Sequence, residues 1–303
     1  MPAEGMAWLP RTEVLSYEEI SRVARVCVER YGFEAIRLTG GEPLVRAHLV
    51  RLVEMLAPLG VDLALTTNGV KLAEVAHDLA HAGLNRVNVS LDTLQRERFV
   101  ALTRRDELAR VIAGIDAAID AGLEPVKVNV VMMRDVNDDE IVDLARFGRD
   151  RGVGVRFIEF MPLDAQGAWT EAQVVPAREI IERISAVFPL EPATVAHTEP
   201  AVRWRYVDGR GEVGVIASVT EPFCESCDRV RITAEGQFRT CLFALDEIDL
   251  RAELRADGAL DAADLDDRLA LAIERAVAGK WAGHHIGQVD FIRPSRSMSQ
   301  IGG

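Results

Sequence analysis

At 303 residues the chain has room for two average domains or one large α/β barrel. Hydrophobic residues make up 49% and charged residues 27%, which excludes a disordered tail, a collagen or a small disulfide scaffold. The net charge of −13 disfavours nucleic acid and anionic membrane as partners, so a polyanionic ligand would need locally clustered arginine or lysine.

In chain order, Ser16 and Glu19 form a capping box opening a helix over about residues 17–30. Ala35 to Leu38 is a short strand, followed by Thr39-Gly40-Gly41-Glu42-Pro43. Leu49, Leu52, Val53 and Leu56 at helical spacing predict a helix over about 47–57. Val61 to Thr66 is the next strand and ends in Thr67-Asn68-Gly69. A helix over about 71–82 precedes the strand Arg86 to Leu91, and one over about 108–121 precedes the strand Val126 to Val131. Asn137 and Glu140 are read as capping a helix that runs to about 151, before the strand Val155 to Phe160.

Beyond about residue 162 the pattern changes to a loop, a helix over about 176–188 and a final helix over about 263–279. Between those helices Trp204–Val207, Gly214–Ser218 and Arg229–Thr233 read as antiparallel strands. Alternating strands and helices in the first part predict a parallel sheet, open or closed into a barrel. Polar residues gather at the C-terminal strand ends, where such sheets bind ligands: Thr39, Thr66, Asn68, Ser90, Asp92, Asn129 and Glu159. Val87-Asn88-Val89-Ser90 and Lys127-Val128-Asn129 alternate polar with apolar residues, so one sheet face lines a wet or ligand-filled cavity. Asp92 and Glu159 have a plainer reading, in which they orient neighbouring cations.

Lysine is nearly absent (Lys71, Lys127, Lys280), and asparagine is almost as rare, so each is a candidate for a specific role. The cysteines are Cys27, Cys224, Cys227 and Cys241. No apolar run approaches ~18 residues and no secretory signal is visible, so a cytoplasmic, reducing setting without disulfides or membrane is expected. Cys224-x-x-Cys227 followed by Cys241 offers three thiolates. An iron–sulfur cluster with one open position, a zinc site and unliganded thiols are all compatible with that spacing. Arg229 and Arg231 lie on one face of a strand, either as solvated charge or as two forks for phosphate or carboxylate.

Taken together, Gly40-Gly41-Glu42-Pro43, Thr66-Thr67-Asn68-Gly69, Asn88 to Asp92, Lys127-Val128-Asn129, Arg156 to Met161, the cysteine triplet and the terminal Gly302-Gly303 resemble one family. It is the GTP 3′,8-cyclase family of molybdenum cofactor biosynthesis, within the radical S-adenosylmethionine superfamily. The resemblance implies an incomplete TIM-like parallel barrel, here residues 1–162 without a first strand. Residues 163–303 would be a C-terminal α+β region closing the open side. It implies a 5′-deoxyadenosyl radical, made from S-adenosylmethionine on a first 4Fe-4S cluster, that converts GTP to 3′,8-cyclo-7,8-dihydro-GTP. A second 4Fe-4S cluster would sit on Cys224, Cys227 and Cys241. Arg37, Thr66, Lys127, Arg156, Arg229, Val230 and Arg231 match GTP-contacting positions. Gly41, Ser90 and Met161 match S-adenosylmethionine positions, and Gly302 and Gly303 match a tail that enters the site. A homodimer is compatible with this reading.

The family's first cluster is held by C-x3-C-x2-C just before a Met-Pro pair, and this sequence begins Met1-Pro2. A start placed too late, or a truncated paralogue, is therefore expected. Such a form would not cleave S-adenosylmethionine, and S-adenosylmethionine and the first cluster are expected only in a longer one. It would also leave an unpaired sheet edge along Ala35 to Leu38. Two readings from other classes stand beside it: a non-catalytic GTP-binding protein stabilised by a cluster or zinc, and an oxidoreductase-like barrel using the cysteines for redox work.

Overall fold

The computed structural model describes residues 9–163, 167, 169–194, 199–256, 261–280, 283–284, 286, 288 and 291–301. Helix α1 (Tyr17–Tyr31) opens on the expected capping box, with Glu19 N–H donating to Ser16 Oγ at 3.2 Å and Ser16 N–H to Glu19 Oε2 at 2.7 Å. Five parallel strands follow in sequence order: β1 (Ala35–Leu38), β2 (Asp62–Thr67), β3 (Arg86–Ser90), β4 (Val126–Met132) and β5 (Gly154–Glu159). They coincide with the strands expected from the sequence. Helices α2 (Leu49–Leu56), α3 (Leu72–His81), α5 (Leu108–Asp120), α6 (Ile141–Arg151) and α7 (Ala177–Ser185) cover one face of the sheet. Helix α4 (Arg96–Thr103) has no clear signal in the sequence: Phe99 is its only buried side chain, so it carries no apolar stripe.

Strand β4 shows how the two faces divide. Val126, Val128, Val130 and Met132 are buried against the helices, while Lys127, Asn129 and Val131 alternate with them on the other face. The sheet continues through β6 (Leu190–Pro192), β7 (Val202–Tyr206) and β8 (Glu212–Ile216), giving the order β1-β2-β3-β4-β5-β8-β7-β6. Here one expectation is corrected. The segment around Gly214 is antiparallel only to β7; against β5 it runs parallel. The crossover through α7, β6 and β7 returns the chain to the β5 side in the original direction. Among the described residues β1 pairs with β2 alone, so Ala35 to Leu38 is a sheet edge.

The predicted cap at Asn137 and Glu140 does not form. Asn137 accepts from Met133 N–H (2.8 Å) and donates to the carbonyls of Asp92 (2.7 Å) and Val131 (2.9 Å). Glu140 accepts from Leu94 N–H (2.7 Å) and from Thr93 and Arg98. Both side chains tie the loop after β4 to the loop after β3, a non-local demand that outweighs local capping.

A second layer is antiparallel: β9 (Arg231–Ile232), β10 (Gln237–Arg239) and β11 (Ile248–Asp249), with α8 (Leu250–Arg255), α9 (Ala262–Ala278) and α10 (Met298–Ile301). Its core does not close on itself. Phe238, Leu250, Leu269 and Ile273 pack against Val23, Val26 and Cys27 of α1. Tyr31 Oη donates to the Ala270 carbonyl at 2.9 Å, and Asp266 pairs with Arg22 (3.3 Å) and Arg25 (2.6 Å). The first helix is thereby fastened to the C-terminal region. Burial pushes the Cys27 thiol up to about 12, which leaves it an inert core side chain. No helix among the described residues is long and apolar enough to cross a membrane.

Helix α5 approaches the turn after β2 closely. A Cβ on Gly114 would lie 2.4 Å from the Gly69 carbonyl oxygen. Gly114→Ala should therefore lower the unfolding free energy by about 1–3 kcal/mol through overpacking, as read by urea denaturation. An unchanged midpoint would show that α5 is not held this close.

Candidate functional site

Strand register assembles two rows on the helix-free face. Thr66, Asn88, Lys127 and Gly154 form one; Ser90, Asn129, Arg156, Gly214 and Arg203 form the next. The glycines leave room for the charged stems: a Cβ on Gly154 would meet Lys127 Cγ at 3.6 Å, and one on Gly214 would meet Arg156 Cγ at 3.4 Å. Thr66 is buried and accepts from Asn88 Nδ2 at 3.3 Å. The Oδ1 atoms of Asn88 and Asn129 are buried without a hydrogen-bond partner. Each such atom costs about 1–3 kcal/mol when left unpaired, so the face carries acceptors suited to a ligand's donors. The rarity of asparagine singles these residues out in the sequence without giving them a role.

The same face concentrates positive charge. Arg37, on β1, is reached by solvent but crowded by protein. Burial, then the charges of Arg86, Arg156, Arg229 and Arg231, bring it down to about 10. Burial also lowers Lys127, to about 8, assisted by Arg156 and Arg86 and opposed by Glu199. Arg156 is likewise lowered, chiefly by burial. Arg231 falls to about 10 through burial and the charge of Arg229, opposed by Cys241 and Cys227. Three expected GTP residues, Arg156, Arg229 and Arg231, thus bear on a fourth, Arg37, from other parts of the chain. Val230 points the other way, into the α1–α9 core.

The cysteines stand at the edge of this charged region. Cys224 opens a 3₁₀ turn whose Cys227 N–H donates to the Cys224 carbonyl at 3.2 Å. Burial raises the Cys224 thiol, a backbone hydrogen bond from His284 opposes it, and the charges of Cys241 and Cys227 add to the rise. Cys227 behaves differently. Burial would raise it, but the charge and backbone N–H of Arg229, together with Lys280, hold it below the ordinary thiol value. Lys280 also donates to the carbonyls of Cys227 (2.6 Å) and Arg229 (3.1 Å), clamping the loop between them. Among the described residues, no three His, Cys, Asp or Glu side chains gather tightly enough to hold a single metal ion.

The other expected positions lie around the same mouth. Gly41 is exposed after β1, and Ser90 is exposed at the end of β3. Met161 packs near Cys241, Phe243 and Ile301. Gly302 and Gly303 lie outside the described residues. Glu42 is committed to the loops, accepting from Leu44 N–H (2.9 Å), Thr67 Oγ1 (2.7 Å) and Asn68 N–H (2.7 Å). Asp92 and Glu159 do not orient cations as expected. Half-buried Asp92 is raised to about 6 by the protein packed around it, partly offset by the Val131 N–H. Glu159 is fully buried and accepts from Ala177 N–H (2.9 Å), Val219 N–H (2.8 Å), Thr220 N–H (2.8 Å) and Thr220 Oγ1 (2.6 Å). It joins the end of β5 to the segment leading to Cys224. Nothing local in the sequence marks that role, nor those of Arg203 and Glu199.

Comparison with known proteins gives the chain's family. Residues 5–148 match the Radical SAM superfamily and residues 153–286 match Molybdenum Cofactor Synthesis C. A protein of Streptomyces coelicolor named GTP 3′,8-cyclase is 47% identical over 307 residues, covering 100% of this chain and 88% of its own. The chain belongs to the GTP 3′,8-cyclase family. A Corynebacterium glutamicum protein of the same name is 45% identical over 315 residues, covering 100% of this chain and 82% of its own. GTP 3′,8-cyclases fall within a superfamily that works with S-adenosylmethionine and a 4Fe-4S cluster. In this member of the cyclase family, the elements from β5 to α9 lie in the second matched region.

Glu159→Ala would strand four donors around a buried site. Its unfolding free energy should fall by roughly 3 kcal/mol or more, with Glu159→Gln recovering part of the loss. A change below about 1 kcal/mol for the alanine variant would contradict the clamp.

Proposed function

We propose that this chain is a GTP 3′,8-cyclase of molybdenum cofactor biosynthesis. GTP lies along the helix-free face of the sheet, with its triphosphate toward Lys127 and Arg156 and its guanine toward Cys224, Cys227 and Cys241. The carrying observation is the convergence of Arg37, Arg156, Arg229 and Arg231, which come from opposite ends of the chain yet share one field. In a protein of net charge −13, that local excess suits a polyanionic small molecule. Lys127 supplies a compact point charge, and Arg156 a planar fork for phosphate oxygens. Arg37, Thr66 and the stretch Arg229-Val230-Arg231 complete the nucleotide wall. Gly41, Ser90 and Met161, around the strand ends, are assigned to S-adenosylmethionine, and Gly302 and Gly303 to a tail entering the site. Residues 1–162 are taken as the partial barrel and 163–303 as the region that completes the cavity.

The donor set of the C-terminal site suits a 4Fe-4S cluster. A single structural zinc wants four protein ligands, whereas three thiolates can hold a cluster and leave one of its irons open. When bound, that cluster supplies an iron able to take a ligand atom from the purine. Arg229 and Lys280 favour the thiolate form of Cys227, the form that ligates metal. The radical-generating cluster does not fit residues of this sequence: C-x3-C-x2-C is absent, and Cys27 is buried in a helix.

Lys127→Ala should weaken GTP binding about 10–100-fold, the worth of a charged hydrogen bond, with little change in unfolding. The free lysine loses its proton near pH 8, so wild-type affinity should fall as pH rises through that value, by about tenfold from pH 7 to pH 9. Lys127→Arg should flatten this profile. Calorimetric titration checks both; unchanged affinity in Lys127→Ala, or a flat wild-type profile, removes Lys127 from the phosphate site.

A further inference from the structure

Glu199 occupies the place where the phosphate chain is assigned. Its Oε1 lies 2.9 Å from Arg156 Nη2 and 4.0 Å from Lys127 Nζ, and its Oε2 lies 3.1 Å from Arg203 Nε. Arg156 and Arg203 flank Gly214 from opposite sides, and the glycine puts no side chain between them. Glu199 therefore faces three cations, of which Arg203 also reaches Glu212 through Nη1 at 3.3 Å. It serves them unevenly: Arg156 donates an aligned hydrogen bond, whereas the buried Arg203 Nε makes none despite its proximity. A carboxylate has two oxygens and one charge, and three cations call for more of both. A phosphate chain has the oxygens and charge to engage Lys127, Arg156 and Arg203 together.

We infer that Glu199 is a built-in competitor for the phosphate chain, neutralising the Lys127–Arg156–Arg203 cup in the free protein and leaving it when a polyphosphate binds, which makes Arg203 a third phosphate-contacting residue. This rests on the assignment of Lys127 and Arg156 to the triphosphate. The physical logic is exchange of like for like. With the cup empty and Glu199 absent, Glu212, paired with Arg203, would be left to offset the mutual repulsion of three cations in a partly buried site. Glu199 offsets that repulsion, and apparent affinity for a phosphate chain is reduced by the fraction of protein in which the carboxylate has moved away. A neutral nucleoside gains nothing from displacing it. Glu199 thus makes the site answer to phosphate charge and sets the affinity at which it does so.

The test uses the full 303-residue chain and inorganic tripolyphosphate, with guanosine as the uncharged control. Calorimetry should show Glu199→Gln binding tripolyphosphate about tenfold tighter than wild type, with guanosine unaffected. Glu199→Asp, which keeps the charge, should stay close to wild type. Hydrogen exchange gives a readout that charge removal alone would not move. Tripolyphosphate should speed amide exchange over residues 199–203 in the wild type and leave it unchanged in Glu199→Gln. Equal or weaker binding by Glu199→Gln, with Lys127→Ala still impaired, would make Glu199 a fixed scaffold and overturn the inference alone. If Lys127→Ala also binds normally, the phosphate site is misplaced and the inference falls with it.

Discussion

Positive charges that repel one another are held on a single wall of an otherwise acidic protein. The pleat enforces this arrangement: outward residues of β4 and β5 are apolar and covered by helices, so Lys127 and Arg156 must point to the opposite face. Register then places them in adjacent rows. The strain is legible in Arg37 and Arg231, each lowered to about 10 by burial and neighbouring arginines. Such crowding destabilises a protein unless an anion relieves it, and clusters of perturbed groups in a cavity mark functional sites more often than structural ones. The internal carboxylate of Glu199 and the phosphates of a nucleotide are two ways of meeting the same electrostatic demand.

A second constraint keeps the thiols in register with that wall. Glu159 accepts four hydrogen bonds and so holds Val219 and Thr220 against the end of β5. Lys280 grips the carbonyls on the far side of the cysteine turn. Arg296 bridges Glu235 and Glu247, and Glu247 also receives Arg239, which fixes the segment before α10 to the same small sheet. Helix α1 packs on both sides: Val23, Val26 and Cys27 face this region, while Tyr17, Ile20 and Ala24 pack against the main core. Parts of the chain far apart in sequence thereby come together, which is how Arg37 comes to feel Arg229.

Local pattern makes much of this legible. The strand–helix alternation marks β1 to β5, and the polar–apolar alternation in β3 and β4 marks a polar inner face. The cysteine spacing and the Arg229–Arg231 pair point to the charged edge of the site. What escapes is non-local. The parallel direction of β8 depends on a crossover; the uses of Asn137, Glu140 and Glu159 depend on loops brought together only by folding. Arg203 reads as one arginine among many, and Glu199 as surface charge, because neither lies in a motif. Their significance comes from the register that sets Arg203 beside Arg156.

On the proposed function, three sulfurs hold an inorganic centre at the edge of the cationic wall, with the nucleotide beside it. Electron paramagnetic resonance of the anaerobically iron-loaded, reduced chain, with and without GTP, tests it most directly. The account predicts a cluster signal that is lost in Cys224→Ser, Cys227→Ser and Cys241→Ser and that shifts when GTP is added. A signal that survives those substitutions, or one that GTP leaves unchanged while still binding to the protein, would contradict it.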